Sequence, residues 1–288
     1  MSSMPTHATA APATSTAGSI YRRAVAEVDP AYTAPALDAG RRSTLKREVV
    51  LVFAVSLGRS GVYAFVSIMA ALTAGKPLAS QSATLNTSYA PGRPTLDLVY
   101  QVLAIVFTLV PVALAWHFLV TGGERASRVL GIDASQPGRD AARGAVLAAL
   151  VGGTGLLLYI SAYAVGVSLQ VAASGLPAVW WSWPVLVGRA VMNAVLEESL
   201  VAGYLLHRLG QLGVRPWRAV AASAVLRGSY HLYQGFGGFV GNAAMGVLFG
   251  RLYQRWGRTM PLIIAHSLID IVAFIGYALL VGKVSWLP

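Results

Sequence analysis

The stretch NAVLEESLVAG, residues 193–203, places two adjacent glutamates, Glu197 and Glu198, inside an apolar run. The lysine or arginine residues nearest to them in sequence are Arg189 and Arg208. An ionised carboxylate in an apolar environment is costly, and one inside a membrane span usually has a functional role. Whether this stretch crosses a membrane therefore bears on both the fold and the function of the chain.

The composition indicates a membrane protein. Of the 288 residues, 56% are hydrophobic and 11% are charged, and the mean hydropathy is +0.61. The net charge of +11 would suit nucleic acid in a soluble protein, but the basic residues gather at the ends of apolar stretches and no nucleic-acid motif is present. We therefore expect the lipid bilayer as a partner and no nucleic acid. The absence of cysteine excludes disulfides, thiol catalysis and cysteine-ligated zinc.

The chain divides into a polar N-terminal segment and a series of apolar stretches. Residues 1–40 are small, polar and proline-containing, which predicts a disordered tail. We expect N-terminal transmembrane helices over residues 41–183 and a transmembrane core that contains the glutamate pair over residues 184–288. The fold predicted is an all-α, polytopic membrane bundle of about seven helices, since ~20 apolar residues cross a bilayer. The predicted spans are about 49–73, 98–120, 144–167, 184–207, 217–234, 238–254 and 260–281.

The connections between these spans alternate in basic content. Arginine-rich segments precede the first span and follow the second, fourth and sixth, whereas the other connections contain almost no lysine or arginine. Basic residues favour the cytoplasmic side of a membrane. The alternation therefore predicts a multi-pass protein of the cell membrane with a cytoplasmic N-terminus and an external C-terminus.

Polar side chains recur in the spans that follow the glutamate pair. Arg227 and His231 are four residues apart, as are His266 and Asp270, so each pair lies on one face of its helix. Asn242 lies in the predicted span between them. We expect these groups to converge with the glutamates on one buried site. Such a set can activate a water molecule and stabilise an oxyanion.

Three sequence motifs resemble those of a known family. EESLVAGYLLHRL resembles the first motif, EExxxR followed by GYLL, of the CAAX-protease and bacteriocin-processing family, also called the Abi family. RGSYHLYQG resembles the second motif, FxxxH, and HSLID resembles the third, a histidine followed four residues later by Asn or Asp. The resemblance covers about residues 184–281, with the motifs in the family's order.

The resemblance implies an all-helical intramembrane endopeptidase that cleaves a peptide or protein substrate near the membrane. In that family a glutamate activates water, a histidine assists, and a second histidine with Asn or Asp stabilises the oxyanion. Glu197 and Glu198 match the glutamate pair, and His231 matches the second-motif histidine. His266 and Asp270 match the third motif.

Two positions depart from the family pattern. Ala202 stands where the first motif has arginine, and Arg227 stands where the second has phenylalanine. The chain is then either an inactive relative or one whose cation has moved to a neighbouring helix, where Arg227 would pair with one of the glutamates. The alternative for Arg227 is a contact with Asp270 or a backbone carbonyl. Asn242 supports the site or, among closely spaced glycines, serves helix packing.

The same residues would also suit two other functions and a metal site. An inactive member would act as a membrane scaffold or binding protein, and a proton-coupled transporter would use the Glu and His residues as a relay. Transporters often contain internal repeats, and none is found. No HExxH motif occurs, so no cofactor is favoured; if zinc is bound, the expected ligands are Glu198, His231 and His266.

Overall fold

The computed structural model describes residues 37–283, which fold almost entirely into helices. The α-helices are α1 Ala39–Ala54, α2 Leu57–Thr73, α3 Pro94–Thr108, α4 Val110–Thr121, α5 Ala126–Leu130, α6 Pro137–Ala164, α7 Ser182–Glu197, α8 Leu206–Gln211, α9 Pro216–Tyr230, α10 Phe236–Trp256 and α11 Met260–Leu280. A π-helical segment, Glu198–Leu205, joins α7 to α8. The predicted all-α class is confirmed. Of the tail predicted for residues 1–40, residues 1–36 lie outside the described residues, whereas Asp38 caps α1 and residues 39–40 open it.

Short elements of other kinds lie in the connections. Strand β1, Ser82–Thr84, pairs in parallel with strand β2, Gln170–Ala172. Turns of 3₁₀ helix are formed by Leu78–Ser80, before β1, and by Leu232–Gln234, directly after the residue that caps α9. These elements connect distant parts of the chain at one end of the bundle.

The first two predicted spans are broken in the structure. The first, 49–73, divides at Ser56 into α1 and α2, which are bent by 49°. The Ser56 hydroxyl donates to the carbonyl of Val52, a bond that competes with the helix ladder and bends the chain. The second span divides at Leu109, ahead of Pro111, whose ring removes a helical N–H donor.

The predicted number of seven spans is not confirmed. By length and composition three helical stretches among the described residues can cross a membrane: Pro94–Thr121, Pro137–Ala164 and Met260–Leu280. The bent pair α1 and α2 makes a fourth if it is one span. Helix α9 has 15 residues, fewer than the ~20 that a perpendicular crossing needs, and a π-helical segment interrupts the fourth predicted span.

The outer surface of the long helices is apolar. Phe65 and Val66 of α2, Phe107 of α3, and Leu150 and Leu157 of α6 are all more than half exposed. Soluble monomers rarely expose apolar side chains over so large an area, whereas a lipid environment favours it. This surface supports the prediction of a membrane protein.

Close helix packing surrounds the glutamate pair. At Gly246 of α10 an added Cβ would lie 2.9 Å from the Cα of Ala224 on α9, so only glycine allows this approach. At Gly203, in the π-helical segment, an added Cβ would lie 2.8 Å from the side chain of Leu130. Gly246 thus lets α9 and α10 pack tightly, and Gly203 lets the π-helical segment approach α5 closely.

The connections of the chain gather at two opposite ends of the bundle. At the basic end, Arg42 donates to the carbonyl of Leu212 and Thr259 donates to that of Leu130. At the other end, Leu169 donates to the carbonyl of Gln234, next to the β1–β2 pair. The segments rich in arginine in the sequence therefore meet at one end of the folded chain.

Candidate active site

The two glutamates lie where α7 gives way to the π-helical segment. Glu197 is the last residue of α7 and Glu198 is the first residue of the π-helical segment. Both residues are buried, Glu198 completely and Glu197 with 10% of its side chain exposed. Helix breaks of the π type occur often at functional sites. The pair therefore presents one fully buried carboxylate and one with a small exposed fraction.

Arg227 on α9 forms ion pairs with both glutamates. Its guanidinium lies 2.7 Å from Glu198 Oε1 and 3.3 Å from Glu197 Oε2, and Arg227 itself is fully buried. The guanidinium carbon lies 5.4 Å from the ring centre of Phe249. The glycine at position 246 leaves room for the arginine stem, since an added Cβ would lie 3.3 Å from Arg227 Cδ. One cation thus serves two buried carboxylates, and its predicted alternative partner, Asp270, is not within ion-pairing distance of it.

His266 on α11 links Glu198 to the third-motif aspartate. Its Nδ1 lies 2.8 Å from Glu198 Oε1 and 3.3 Å from an Arg227 nitrogen. Its Nε2 lies 3.6 Å from Asp270 Oδ1, one helical turn along α11. His266 therefore stands between a sealed carboxylate and one whose side chain is 18% exposed.

His231 faces Glu197 across a gap. It caps the C-terminus of α9, and its Nδ1 lies 3.0 Å from the carbonyl oxygen of Arg227. A carbonyl can only accept, so Nδ1 carries the hydrogen and the ring is fixed in that orientation. The other ring nitrogen, Nε2, lies 4.0 Å from Glu197 Oε1. A gap of this length between polar atoms is suited to a bridging water molecule.

Two residues of the site were missed in the sequence. The hydroxyl of Tyr230 donates to Glu197 Oε2 at 2.8 Å, and Asn193 donates to Asp270 Oδ2 at 3.5 Å. Tyr230 precedes His231, and Asn193 lies one turn before Glu197 on α7. In the sequence, Asn193 could have been found from its i to i+4 spacing with Glu197, and Tyr230 from its position next to the motif histidine.

Asn242 lies apart from these contacts. Its side chain donates to the carbonyl of Gly238, one turn earlier on α10. Among the described residues the structure shows no contact between Asn242 and the glutamates. This bond within one helix suits the packing interpretation, and a supporting role for Asn242 in the site stays a prediction.

A metal-ligand set is also present, although it differs from the predicted one. Donor atoms of Glu197, Glu198 and His266 lie within 4.8 Å of one another, whereas His231 is not part of the group. Arg227 already lies against all three of these residues. A divalent cation would have to share this space with a buried guanidinium. The geometry therefore suits the arginine as the resident cation.

Comparison with known proteins identifies the region that contains the site. Residues 179–272 match the family described as type II CAAX prenyl endopeptidase, Rce1-like. The match covers about a third of the chain and includes every candidate site residue, from Asn193 to Asp270. No curated protein and no solved structure matches the chain. The resemblance found in the sequence is confirmed, and the matched region is related to membrane-embedded proteases of the CAAX type.

Proposed function

We propose that this protein is an intramembrane endopeptidase that uses Glu197 and His231 to activate water. The observation that carries the proposal is the 4.0 Å gap between Glu197 Oε1 and His231 Nε2. Both groups border the accessible side of the site, with 10% and 14% of their side chains exposed. A general base must reach the proton that it removes, directly or through one water.

The two glutamates have different roles in this proposal. Glu197 accepts a proton from a water held in the gap, while the water oxygen forms a bond to the carbonyl carbon of the scissile peptide. The carbonyl electrons move to oxygen and give an oxyanion. When the tetrahedral intermediate collapses, the C–N bond breaks and the leaving nitrogen takes the proton that Glu197 removed from the water. His231 Nε2 orients that water as a hydrogen-bond acceptor. Glu198 is sealed from the accessible space, and we assign it to holding Arg227 and His266.

Arg227 supplies the positive charge that Ala202 lacks. Without a cation nearby, a buried carboxyl would tend to stay protonated and be useless as a base. The ion pairs of 2.7 and 3.3 Å support the relocation of the cation from the first motif to α9. They argue against reading Ala202 as a mark of inactivity. They also favour a mechanism without a resident metal.

A peptidase assay on the purified protein tests this proposal. The probes are a quenched fluorescent peptide library and a farnesylated peptide that ends in Cys-aliphatic-aliphatic-X, presented in proteoliposomes. Cleavage by the wild type that is lost in Glu197→Gln and survives a chelator is the expected result. Cleavage that Glu197→Gln leaves unchanged would contradict the mechanism, and loss of activity on chelation with recovery on added zinc would favour a metal centre.

We also propose that the basic end of the bundle lies in the cytoplasm and that the chain crosses the membrane several times. The meeting of the arginine-rich connections at one end supports this orientation. Because the chain has no native cysteine, single cysteines can report topology without background. Arg128→Cys and Arg215→Cys, both exposed at the basic end, should resist an impermeant thiol reagent in intact cells. Lys76→Cys, an exposed position outside the arginine-rich segments, should react, and labelling at position 215 would reverse the orientation.

A further inference from the structure

A carboxylate stands between two nitrogen donors at the accessible side of the site. Asn193 Nδ2 lies 3.5 Å from Asp270 Oδ2, and His266 Nε2 lies 3.6 Å from Asp270 Oδ1. Each oxygen of Asp270 thus faces a different nitrogen. Both distances are long for hydrogen bonds, and catalytic contacts often shorten only once substrate is bound.

The amide and the carboxylate lie at the same level of the bundle. Glu198 contacts His266, and Asn193, five residues earlier, contacts Asp270, four residues later. Helices α7 and α11 therefore run antiparallel. Asn193 also lies four residues before Glu197, on the same face of α7 and about 6 Å along the axis. The Asn193 amide therefore lies on the same face of α7 as Glu197, the proposed base.

Peptide hydrolysis needs donors where the negative charge develops. The oxyanion of the tetrahedral intermediate is stabilised by N–H or O–H groups that are already aimed at it. An ionised aspartate has no hydrogen to donate and would repel the oxyanion. The side-chain amide of Asn193 carries two hydrogens, and Asp270 engages only one of them. The second is available to a substrate.

We propose that Asn193 is a catalytic residue whose amide donates to the oxyanion, and that Asp270 is a positioning residue that orients Asn193 and His266. This inference rests on the proposed peptidase function. It changes the role that the family resemblance implies for Asp270 from stabilising the oxyanion to accepting hydrogen bonds. The amide comes instead from the helix that carries the glutamates.

A swap of the two side chains tests the assignment, with kcat and KM measured on the library peptide that the wild type cleaves fastest. Asn193→Ala should lower kcat by about 10²–10³-fold, as for removal of one oxyanion donor, and change KM by less than about threefold. Asn193→Asp keeps the size of the side chain and should lower kcat by as much as Asn193→Ala does. Asp270→Asn should lower kcat by less than about tenfold, because the new side chain keeps an acceptor and adds a donor.

The double variant Asn193→Asp with Asp270→Asn restores one amide and one carboxylate, with the amide on the opposite helix. It should recover at least about tenfold in kcat over Asn193→Asp, because a donor again faces the oxyanion. Asn86→Ala is the matched control, since Asn86 is a buried amide that bonds the carbonyl of Ala173. It should lower the melting temperature and leave kcat near the wild-type value.

The outcomes separate this inference from the proposed function. If the wild type cleaves peptide and Glu197→Gln does not, while folded Asn193→Ala keeps the wild-type kcat, the role of Asn193 is wrong and the peptidase stands. A swap that recovers nothing over Asn193→Asp would also overturn the assignment. If the wild type shows no cleavage that depends on Glu197, both proposals fail.

Discussion

Two clusters of buried charge in this protein have nearly the same composition. In the central cluster, Glu197, Glu198, Arg227 and His266, a fully buried arginine is paired with two glutamates, and a histidine contacts one of them. In the basic-end cluster, Glu48, Glu124, His207 and Arg208, a fully buried arginine again lies between two glutamates, and a histidine contacts one of them. The residue types alone do not tell the two clusters apart.

The difference shows in one glutamate of each cluster, Glu124 at the basic end and Glu197 in the centre. Glu124 Oε1 accepts from Arg208 at 2.7 Å, and its Oε2 is in contact with His207 at 2.5 Å and Gln211 at 3.2 Å. In the central cluster, the one ion-pair contact of Glu197 Oε1 within residues 37–283 is with His231, 4.0 Å away. Unsatisfied acceptors near the accessible side of a site can bind water or substrate, whereas saturated ones mainly hold the structure. Between these two glutamates, open coordination goes with the proposed base. Glu48 of the basic-end cluster also has an open oxygen, 3.9 Å from Arg41, but no histidine in the described part of the chain faces it across a gap.

Neutralising one glutamate in each cluster should give the largest difference in kcat between the two clusters. Glu197→Gln should lower kcat by about 10²–10⁴-fold, the range for loss of a general base. It should also lower the melting temperature, because Arg227 loses a charged partner. The matched change Glu124→Gln should leave kcat within about threefold and lower the melting temperature, because Arg208 loses a charged partner. Peptidase assays beside thermal melts measure both. Equal losses of kcat in the two variants would contradict the division of roles.

Removing the central arginine should have the next largest effect. Arg227→Phe, which restores the family residue, leaves two buried carboxylates without their cation and should abolish activity. Breaking a buried pair by removing one partner costs about 3–5 kcal/mol, so the melting temperature should fall as well. Adding Ala202→Arg should recover part of both, because Ala202 and Phe249, whose ring contacts Arg227, belong to one packed cluster. Full activity in Arg227→Phe alone would disprove the relocated cation.

A smaller effect is expected from the hydroxyl that holds Glu197. Tyr230→Phe removes the 2.8 Å bond to Glu197 Oε2 and should lower kcat about tenfold, which corresponds to ~1.4 kcal/mol for a bond to a charged group. The control is Tyr253→Phe, which removes a hydroxyl bond to the carbonyl of Val129 at the basic end. That variant should change stability and leave kcat alone. Steady-state kinetics of both tyrosine variants would show whether the hydroxyl of Tyr230 matters for catalysis.

The smallest expected effect concerns pH and the basic-end cluster. Burial works to raise the pKa of Glu124, but the hydrogen bond from His207 and the charges of His207 and Arg208 outweigh it and lower the pKa below its ordinary 4.5. A lowered pKa in the folded state means stability that is present above pH 4.5 and lost as the pH falls through the folded value. Melting temperatures of detergent-solubilised protein between pH 6 and about pH 3 should therefore fall more steeply for the wild type than for Glu124→Gln. Parallel curves would show that Glu124 does not contribute.

The parts of the site that depend on spacing within one helix could be predicted from the sequence. The pairs Arg227 with His231 and His266 with Asp270 follow from helical periodicity, and the helices do bring them beside the glutamates. The pairing of Arg227 with the glutamates was also anticipated, from the cost of an unpaired buried charge. These inferences need only local geometry and electrostatics.

The remaining features depend on packing between helices. Asn193 looks like any polar residue until α11 brings Asp270 against it, and Tyr230 meets Glu197 only because α9 ends at that point. The number of spans was not predictable for a similar reason, since the break at Ser56 and the shortness of α9 do not alter the apolar composition that defines a span. The positions of Asn193 and Tyr230 in the site and the number of spans all depend on the folded structure beyond the local sequence pattern.

The π-helical segment Glu198–Leu205 lies between the two clusters on one continuous helical path. Glu197 and Glu198 stand at its start, and His207 and Arg208 follow its end. Each residue of a helix contributes both rotation and rise, so removing one residue here would turn and shift one cluster relative to the other. The number of residues in the segment therefore fixes how the two clusters are oriented relative to each other. Anyone who grafts this core onto another scaffold should keep that count unchanged, even where the side chains are free to vary.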